Sequence, residues 1–281
     1  MHQVFINKLL QIKFEQKGYV VIPSLLEKKE LDYLNNFVKK FSNKFIGAFH
    51  TSHFSTDVSY KRQAHEAITS IVFPKASTYL NCYKPILGNF MIKNPDTEFA
   101  MDLHADWTYV NEEKYCSIAI WVPLVDVNEK NGCLGVIEKS HKITNKVRGP
   151  LIRQSSRIHD KEWENNYGKF IPLKAGDAVI YNHSLLHFSP PNKTNEIRPA
   201  INLSVVPEEA NCIHYCQPEG SNNIEVYNVP DSDFYIRYNH FQRPESQTLI
   251  NLLPPDCIKY IDKKMQSFWK YRIIENVKHW I

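Results

Sequence analysis

The residues best suited to chemistry fall in two short stretches of this 281-residue chain, His104-Ala105-Asp106 and the segment 187–198, which opens on His187 and closes on Arg198. On an extended strand, side chains two positions apart share a face, so His104 and Asp106 can reach one ion from a strand end. His187 offers a second imidazole from far along the chain. Two histidines and one carboxylate suit one face of a non-haem Fe(II) ion and leave the opposite face open. The carboxylate favours Fe(II), whereas an all-imidazole site would leave zinc or copper open. Arg198 stands immediately before the apolar run Pro199-Ala200-Ile201-Asn202-Leu203-Ser204-Val205-Val206. Its planar guanidinium can clamp a carboxylate with two parallel donors. Alone, His-x-Asp is equally well explained by a surface histidine beside an acid; the joint order of the groups carries the inference.

Holding these groups together requires remote strands to meet. Across residues 86–206, short β-branched and aromatic runs alternate with turn signals such as Asn94-Pro95-Asp96, Asn131-Gly132 and Ala175-Gly176-Asp177. Strands are expected at 87–92, 115–122, 134–137, 177–181 and 200–206. Many short strands without long interleaved helices predict an antiparallel sandwich or barrel, of which the double-sheet jelly roll is the common enzymatic form. In such a fold His187 would face the first pair from across the core. The first 45 residues or so read as helical, with a stripe of Phe5, Leu9, Leu10, Ile12 and Phe14 ended by Gly18. A short strand at 19–23 follows, then a second helix through Leu31, Leu34, Val38 and Phe41, with Ser24 at or before its cap. Residues 257–281 read as a C-terminal helical addition, with Ile258, Ile261, Met265, Phe268 and Trp269 on one face. The connection 142–169 is polar and carries Arg148, Arg153 and Arg157, expected on a solvated loop, with contact to an anionic group as the alternative. No repeat or linker interrupts the chain, so a single domain over 1–281 is expected.

Composition narrows the partners. With 34 basic against 30 acidic residues the net charge is +4, without the concentrated basic stripe that nucleic acid requires. No apolar run approaches membrane-spanning length, and no secretory leader is evident, so a cytoplasmic protein with reduced thiols and a small-molecule partner is expected. The six cysteines are dispersed; Cys212 and Cys216 flank His214 like half a metal site, but no second pair accompanies them. His183 precedes His187 by one helical turn, yet Ser184 stands where a zinc-protease helix would carry Glu. His183 is expected to be structural or part of a pocket wall, and His50 and His53 to be solvated or near the site mouth.

Taken in order, His104-Ala105-Asp106-Trp107, Asn131-Gly132-Cys133-Leu134, Lys139-Ser140-His141-Lys142, Gly176-Asp177 and His187 with Arg198 resemble the phytanoyl-CoA dioxygenase family of Fe(II)/2-oxoglutarate-dependent oxygenases. The resemblance runs from Gly18-Tyr19-Val20-Val21-Ile22-Pro23 to about Pro207. It implies a mainly β protein with flanking helices and a double-stranded β-helix (jelly-roll, cupin-like) core. It implies iron ligands at His104, Asp106 and His187, with His187 preferred to His183 by its spacing to Arg198. Arg198 and Ser189 would hold the far carboxylate of 2-oxoglutarate, Asn192 has its usual Ser-x-x-Asn setting, and Trp121 and Met91 would line the co-substrate pocket. Trp107 would wall the substrate pocket or belong to the core. Such an enzyme hydroxylates an unactivated C–H bond with O2, releasing succinate and CO2. Some iron halogenases of related fold replace the carboxylate ligand by Gly or Ala; Asp106 therefore favours hydroxylation. A small metabolite or natural-product intermediate is the expected substrate. An acyl-CoA or lipid 2-hydroxylase is the alternative, and a non-enzymatic cupin-like metal or 2-oxoglutarate sensor is the alternative of another class.

Overall fold

The computed structural model describes residues 2–152, 160–231, 233–239, 242–244 and 247–254. Helix α1 (Lys8–Lys17) is started by the Asn7 side chain, which accepts from the Leu9 and Leu10 amides, and is turned out by Gly18 at φ 90°. Strand β1 (Tyr19–Ile22) and helix α2 (Lys28–Lys40) follow; Glu27 and Glu30 cap α2 reciprocally, and Ser24 precedes the cap. The chain continues through β2 (Phe49–Thr51), α3 (Val58–Ala76), β3 (Tyr83–Lys93), β4 (Met101–His104), β5 (Ile118–Pro123), β6 (Leu134–Val136), α4 (Asp160–Tyr167) and β7 (Lys169–Ile171). It closes with β8 (Ala178–Asn182), β9 (His187–Ser189), β10 (Arg198–Pro207), β11 (Cys212–Cys216), β12 (Ile224–Val229), α5 (Phe234–Arg237) and β13 (Thr248–Leu253).

Three antiparallel sheets result: six strands in the order β1-β8-β5-β10-β3-β2, four in the order β4-β9-β6-β7, and three in the order β11-β12-β13. The non-consecutive orders are those of a jelly roll. Side-chain alternation divides the six-stranded sheet into two faces. Ile118, Ile120, Val122, Ile201, Leu203 and Val205 pack outward against Leu34 and Val38 of α2 and Ile68 and Val72 of α3. Ala119, Trp121, Val179, Tyr181 and Ala200 face inward, against Leu134, Val136 and Ile171 of the four-stranded sheet. Both faces of the central strands are buried, which is why their sequences are nearly continuous apolar runs.

Two departures from the sequence expectation concern helices. The 19-residue α3 is unannounced, because its buried face is built partly of Ala64, Ala67 and Ala76 among polar neighbours, and Pro74 lies in its last turn. In α1 the apolar stripe is not the packing face: within the helix Phe14 alone is buried, Leu9 is 70% exposed, and Phe5 packs from outside it. The C-terminal helix expected at 257–281 lies outside the described residues. Among the described residues no helix is long and apolar enough to cross a membrane.

Candidate active site

Strands β4 and β9 pair directly, and their register sets His104 opposite His187. The two imidazoles therefore stand side by side on one sheet, ring centroids 4.2 Å apart, and do not face each other across the core as the sequence suggested. Directly paired residues of neighbouring strands put their side chains on the same face, which is a shorter route to a shared ion. Asp106 follows just beyond the end of β4, with Oδ1 3.7 Å from His187 Nε2. One ligand atom from each of the three lies within 4.8 Å of the others, the sole such grouping of His, Cys, Asp or Glu among the described residues.

Each of the three side chains is held by a further contact. His104 Nδ1 lies 2.7 Å from the Asp102 carbonyl, and His187 Nδ1 lies 2.9 Å from the Leu185 carbonyl. A carbonyl only accepts, so both rings carry the proton on Nδ1 and the lone pair on Nε2, the tautomer a metal needs. The Tyr181 hydroxyl donates to Asp106 Oδ2 at 2.9 Å. Burial pushes the Asp106 carboxyl upward, but His187, His183 and His104 outweigh it and hold the group below the usual carboxylate range. Burial and the nearby Asp106 push the Tyr181 hydroxyl well up, so it remains a donor.

Arg148 secures the same loop from the other side. Its Nε donates to the Asp106 carbonyl at 2.6 Å, while Nη2 and Nη1 grip Glu112 at 2.6 and 2.9 Å. This corrects the expectation of a solvated arginine: a bidentate ion pair, 2% and 8% exposed, makes its burial tolerable. Arg153 and Arg157 lie outside the described residues.

Beside the ligand set, a narrow cavity between the sheets is lined by Met91, Lys93, Trp121, Ser189, Arg198 and Asn202, with His104, Asp106 and His187 at its end. The register of β10 on β3 sets Arg198 opposite Lys93, and both are buried. The Lys93 ammonium donates to the carbonyls of Ser189 and Pro190. Gly132, at φ +84°, makes room for this: a Cβ there would stand 2.7 Å from the Pro190 oxygen and 3.4 Å from Lys93 Nζ. Arg198 sits 5.8 Å from the Trp121 ring centroid, and its Nε and Nη1 are buried without a partner. Burial draws Arg198 down to about 10. Burial, then Arg198, draws Lys93 down to about 7. Two adjacent buried cations, with the Arg198 donors unfilled, are costly alone, and an anionic ligand would complete them. The residues present thus fit both a metal ion and a carboxylate-bearing co-substrate.

A second cavity of about 210 Å³ also borders His104 and Asp106, lined by Thr51, His53, Asn89, Trp107, Asn202 and Ser204 among others. Trp107 is thus a cavity wall. His53 is also in that wall, near the site as one of the two expected alternatives had it, and His50 has its Nε2 3.1 Å from the Tyr60 hydroxyl. His183 is fully buried against Tyr109, and burial holds it neutral at about 4. Asn192 serves the backbone, donating to the carbonyls of Lys93, Asn94 and Glu196. Cys212 and Cys216 are buried free thiols on β11. A larger cavity of about 520 Å³ lies between the N-terminal segment and His141 and contains none of the ligand set.

Sequence reasoning missed Lys93, Tyr181 and Asn202. A usable signal existed for Asn202: with Arg198 and Ser204 it makes a polar face at period two within an otherwise apolar run. Lys93 merely ends an apolar strand and Tyr181 lies within one, and neither carries such a mark.

Residues 14–200 match the family profile for phytanoyl-CoA dioxygenase. The chain is 28% identical over 202 residues to phytanoyl-CoA dioxygenase 1 of Oryza sativa subsp. japonica, covering 70% of this chain and 65% of the rice protein. It is 26% identical over 159 residues to the Dictyostelium discoideum homolog of phytanoyl-CoA dioxygenase domain-containing protein 1, covering 53% of each. The chain thus spans 65% and 53% of the lengths of these two relatives. Among solved structures, the non-haem α-ketoglutarate-dependent epimerase SnoN of nogalamycin biosynthesis superposes with TM-score 0.53 at 18% identity, over 76% of this chain and 84% of that one. The carbocyclase SnoK of the same biosynthesis gives TM-score 0.53 at 17% identity, over 74% and 86%. At such identities these structures establish the shared cupin-like jelly roll. With its family matched from residue 14 to residue 200, the chain belongs to the phytanoyl-CoA dioxygenase family of Fe(II)/2-oxoglutarate-dependent oxygenases.

Proposed function

We propose that this chain is a single-domain Fe(II)- and 2-oxoglutarate-dependent dioxygenase that hydroxylates an unactivated C–H bond of a small molecule, consuming O2 and releasing succinate and CO2. The observation that carries this is the buried, unpartnered Arg198 donor pair at one end of a cavity whose other end is the His104, Asp106 and His187 cluster. His104, Asp106 and His187 hold the iron, each through an atom whose orientation a neighbouring group fixes. Arg198 takes the far carboxylate of 2-oxoglutarate, the Ser189 hydroxyl adds a donor, and Lys93 adds positive charge from the adjoining strand. Trp121 and Met91 wall the cavity and keep water from it. Iron with 2-oxoglutarate and O2 supplies the oxidising chemistry, and the protein contributes binding, orientation and exclusion of water.

A structure of SnoN with Fe3+, α-ketoglutarate and nogalamycin RO supports a small-molecule substrate by likeness of fold, at TM-score 0.52. The names of the curated relatives favour acyl-CoA hydroxylation as a second reading. The test is anaerobic addition of Fe(II) and 2-oxoglutarate, read by the visible charge-transfer band of the ternary complex, followed by succinate assay in air. A band with succinate supports the proposal. A band without succinate for any candidate substrate points to a sensor, and iron binding with no 2-oxoglutarate binding points to another cupin-like metalloprotein.

A further inference from the structure

One polar atom beside the ligand set has no use in the iron chemistry. Asn202 lies midway along β10, on the face that also carries Arg198 and Ser204, opposite Asn89 on one side and Trp121 on the other. It lines both the co-substrate cavity and the 210 Å³ cavity, and is 8% exposed. Its side chain is bonded to the Tyr181 hydroxyl, whose own proton goes to Asp106 Oδ2. The Asn202 amide N–H must therefore be the donor to Tyr181, and Oδ1 is the atom left over. That oxygen is buried with no hydrogen-bond partner. Asn89 is different: its Oδ1 accepts from Thr51 Oγ1 at 3.1 Å and its Nδ2 donates to the Asn202 carbonyl at 3.4 Å. A buried acceptor without a donor is rare in folded proteins, and a ligand that completes it gains the bond.

The rest of the cavity describes that ligand. Phe49, Phe54, Met91, Met101, Trp107 and Tyr109 supply aromatic and thioether surface. Asp106 is the single acidic or basic side chain, histidines apart, among its described lining residues, and it belongs to the metal site. No lysine or arginine lines it among the described residues, so a phosphate or carboxylate would be desolvated there without a counter-charge.

Resting on the function proposed above, we propose that Asn202 determines substrate specificity: its Oδ1 accepts a hydrogen bond from a hydroxyl or N–H group of an uncharged, ring-sized, largely apolar substrate unit. Because the same amide holds Tyr181 and Tyr181 holds Asp106, the group recognised docks three hydrogen bonds from the metal carboxylate. The carbon oxidised then lies close to that hydroxyl or N–H. Any anionic part of the substrate stays outside the inner cavity.

The test uses the full chain loaded anaerobically with Fe(II) and 2-oxoglutarate and two probes differing by one donor, 2-indanol and 2-methoxyindane, with binding measured calorimetrically. The wild-type protein should bind the alcohol at least tenfold more tightly than the ether. Asn202→Leu should bring the ratio close to one, mainly by weakening the alcohol; Asn202→Ala gives the same readout if the leucine variant does not fold. A wild-type ratio near one, no binding of either probe, or a ratio that persists in the variant overturns the assignment. The charge-transfer band is recorded before any probe is added, so its absence identifies failure of the underlying iron and 2-oxoglutarate reading, which takes this one with it.

Discussion

Replacing Arg198 by methionine should stabilise the ligand-free protein while destroying its hold on 2-oxoglutarate. Burial draws the guanidinium down to about 10, since it is 2% exposed, and two of its nitrogens are buried without partners. At ~1.4 kcal/mol per pH unit, that burial works against the charged form by roughly 3 kcal/mol. Methionine removes the penalty and keeps most of the aliphatic packing, losing the contact with Trp121, worth about 0.5–2 kcal/mol. The ligand-free variant should therefore be more stable by about 1–2.5 kcal/mol. The bound state behaves oppositely. Removing one member of a buried pair costs about 3–5 kcal/mol, roughly a 150- to 5,000-fold weaker Kd for 2-oxoglutarate. Thermal unfolding with and without co-substrate reads both effects together. In the wild type, 2-oxoglutarate at a hundred times its Kd should add ~2.7 kcal/mol of stability, and in Arg198→Met that increment should vanish at the same concentration. A variant that is less stable when ligand-free yet keeps its affinity would show that Arg198 is a packing residue and that the carboxylate is held elsewhere.

Lys93, drawn down to about 7 by burial and by Arg198, binds fewer protons in the folded chain than in the unfolded chain between pH 7 and 9. Stability of the ligand-free protein should therefore rise with pH across that window, by up to ~1.4 kcal/mol per unit from this residue, and Lys93→Met should flatten the slope. An unaltered pH dependence of the melting temperature would refute this. Tyr181→Phe removes the donor to Asp106 and should weaken Fe(II) binding by about 10- to 100-fold, measured by metal titration with a competing chelator; unchanged affinity would mean that the carboxylate is positioned without it. Arg148→Met leaves Glu112 charged and buried and should cost ~3–5 kcal/mol in denaturant unfolding, whereas the double variant with Glu112→Leu should recover most of the loss. Failure of the double variant to recover would point to the bond from Arg148 to the Asp106 carbonyl as the dominant contribution.

The parts of the site legible in the sequence are those written locally. His104 and Asp106 announce themselves by a two-residue spacing, and His187 and Arg198 by chemistry that stands out against apolar surroundings. The central strands of the six-stranded sheet were also visible, because a strand buried on both faces must be apolar throughout, as 118–122 and 178–181 are, whereas the short β4 and β9, which carry the two histidines, were not among the expected strands. Helix α3 was invisible because alanines next to a sheet fill little space and leave a weak periodic trace. Arg148 was misjudged because an arginine in a polar connection looks the same whether it meets water or Glu112.

By itself, then, the amino-acid sequence determined the ligand types, the guanidinium and the alternating β pattern, since each depends on residues a few positions apart. Only the tertiary structure decided that Lys93 lies against Arg198, that Asn202 reaches Tyr181, and that Tyr181 reaches Asp106. Those meetings depend on the order β1-β8-β5-β10-β3-β2 and its register, which join segments up to about 160 positions apart. A slip of one residue in any of these pairings would turn the same side chains to the opposite face of the sheet, into the layer against α2 and α3. Register of that kind is fixed by the whole packed core, and no single stretch of the chain records it.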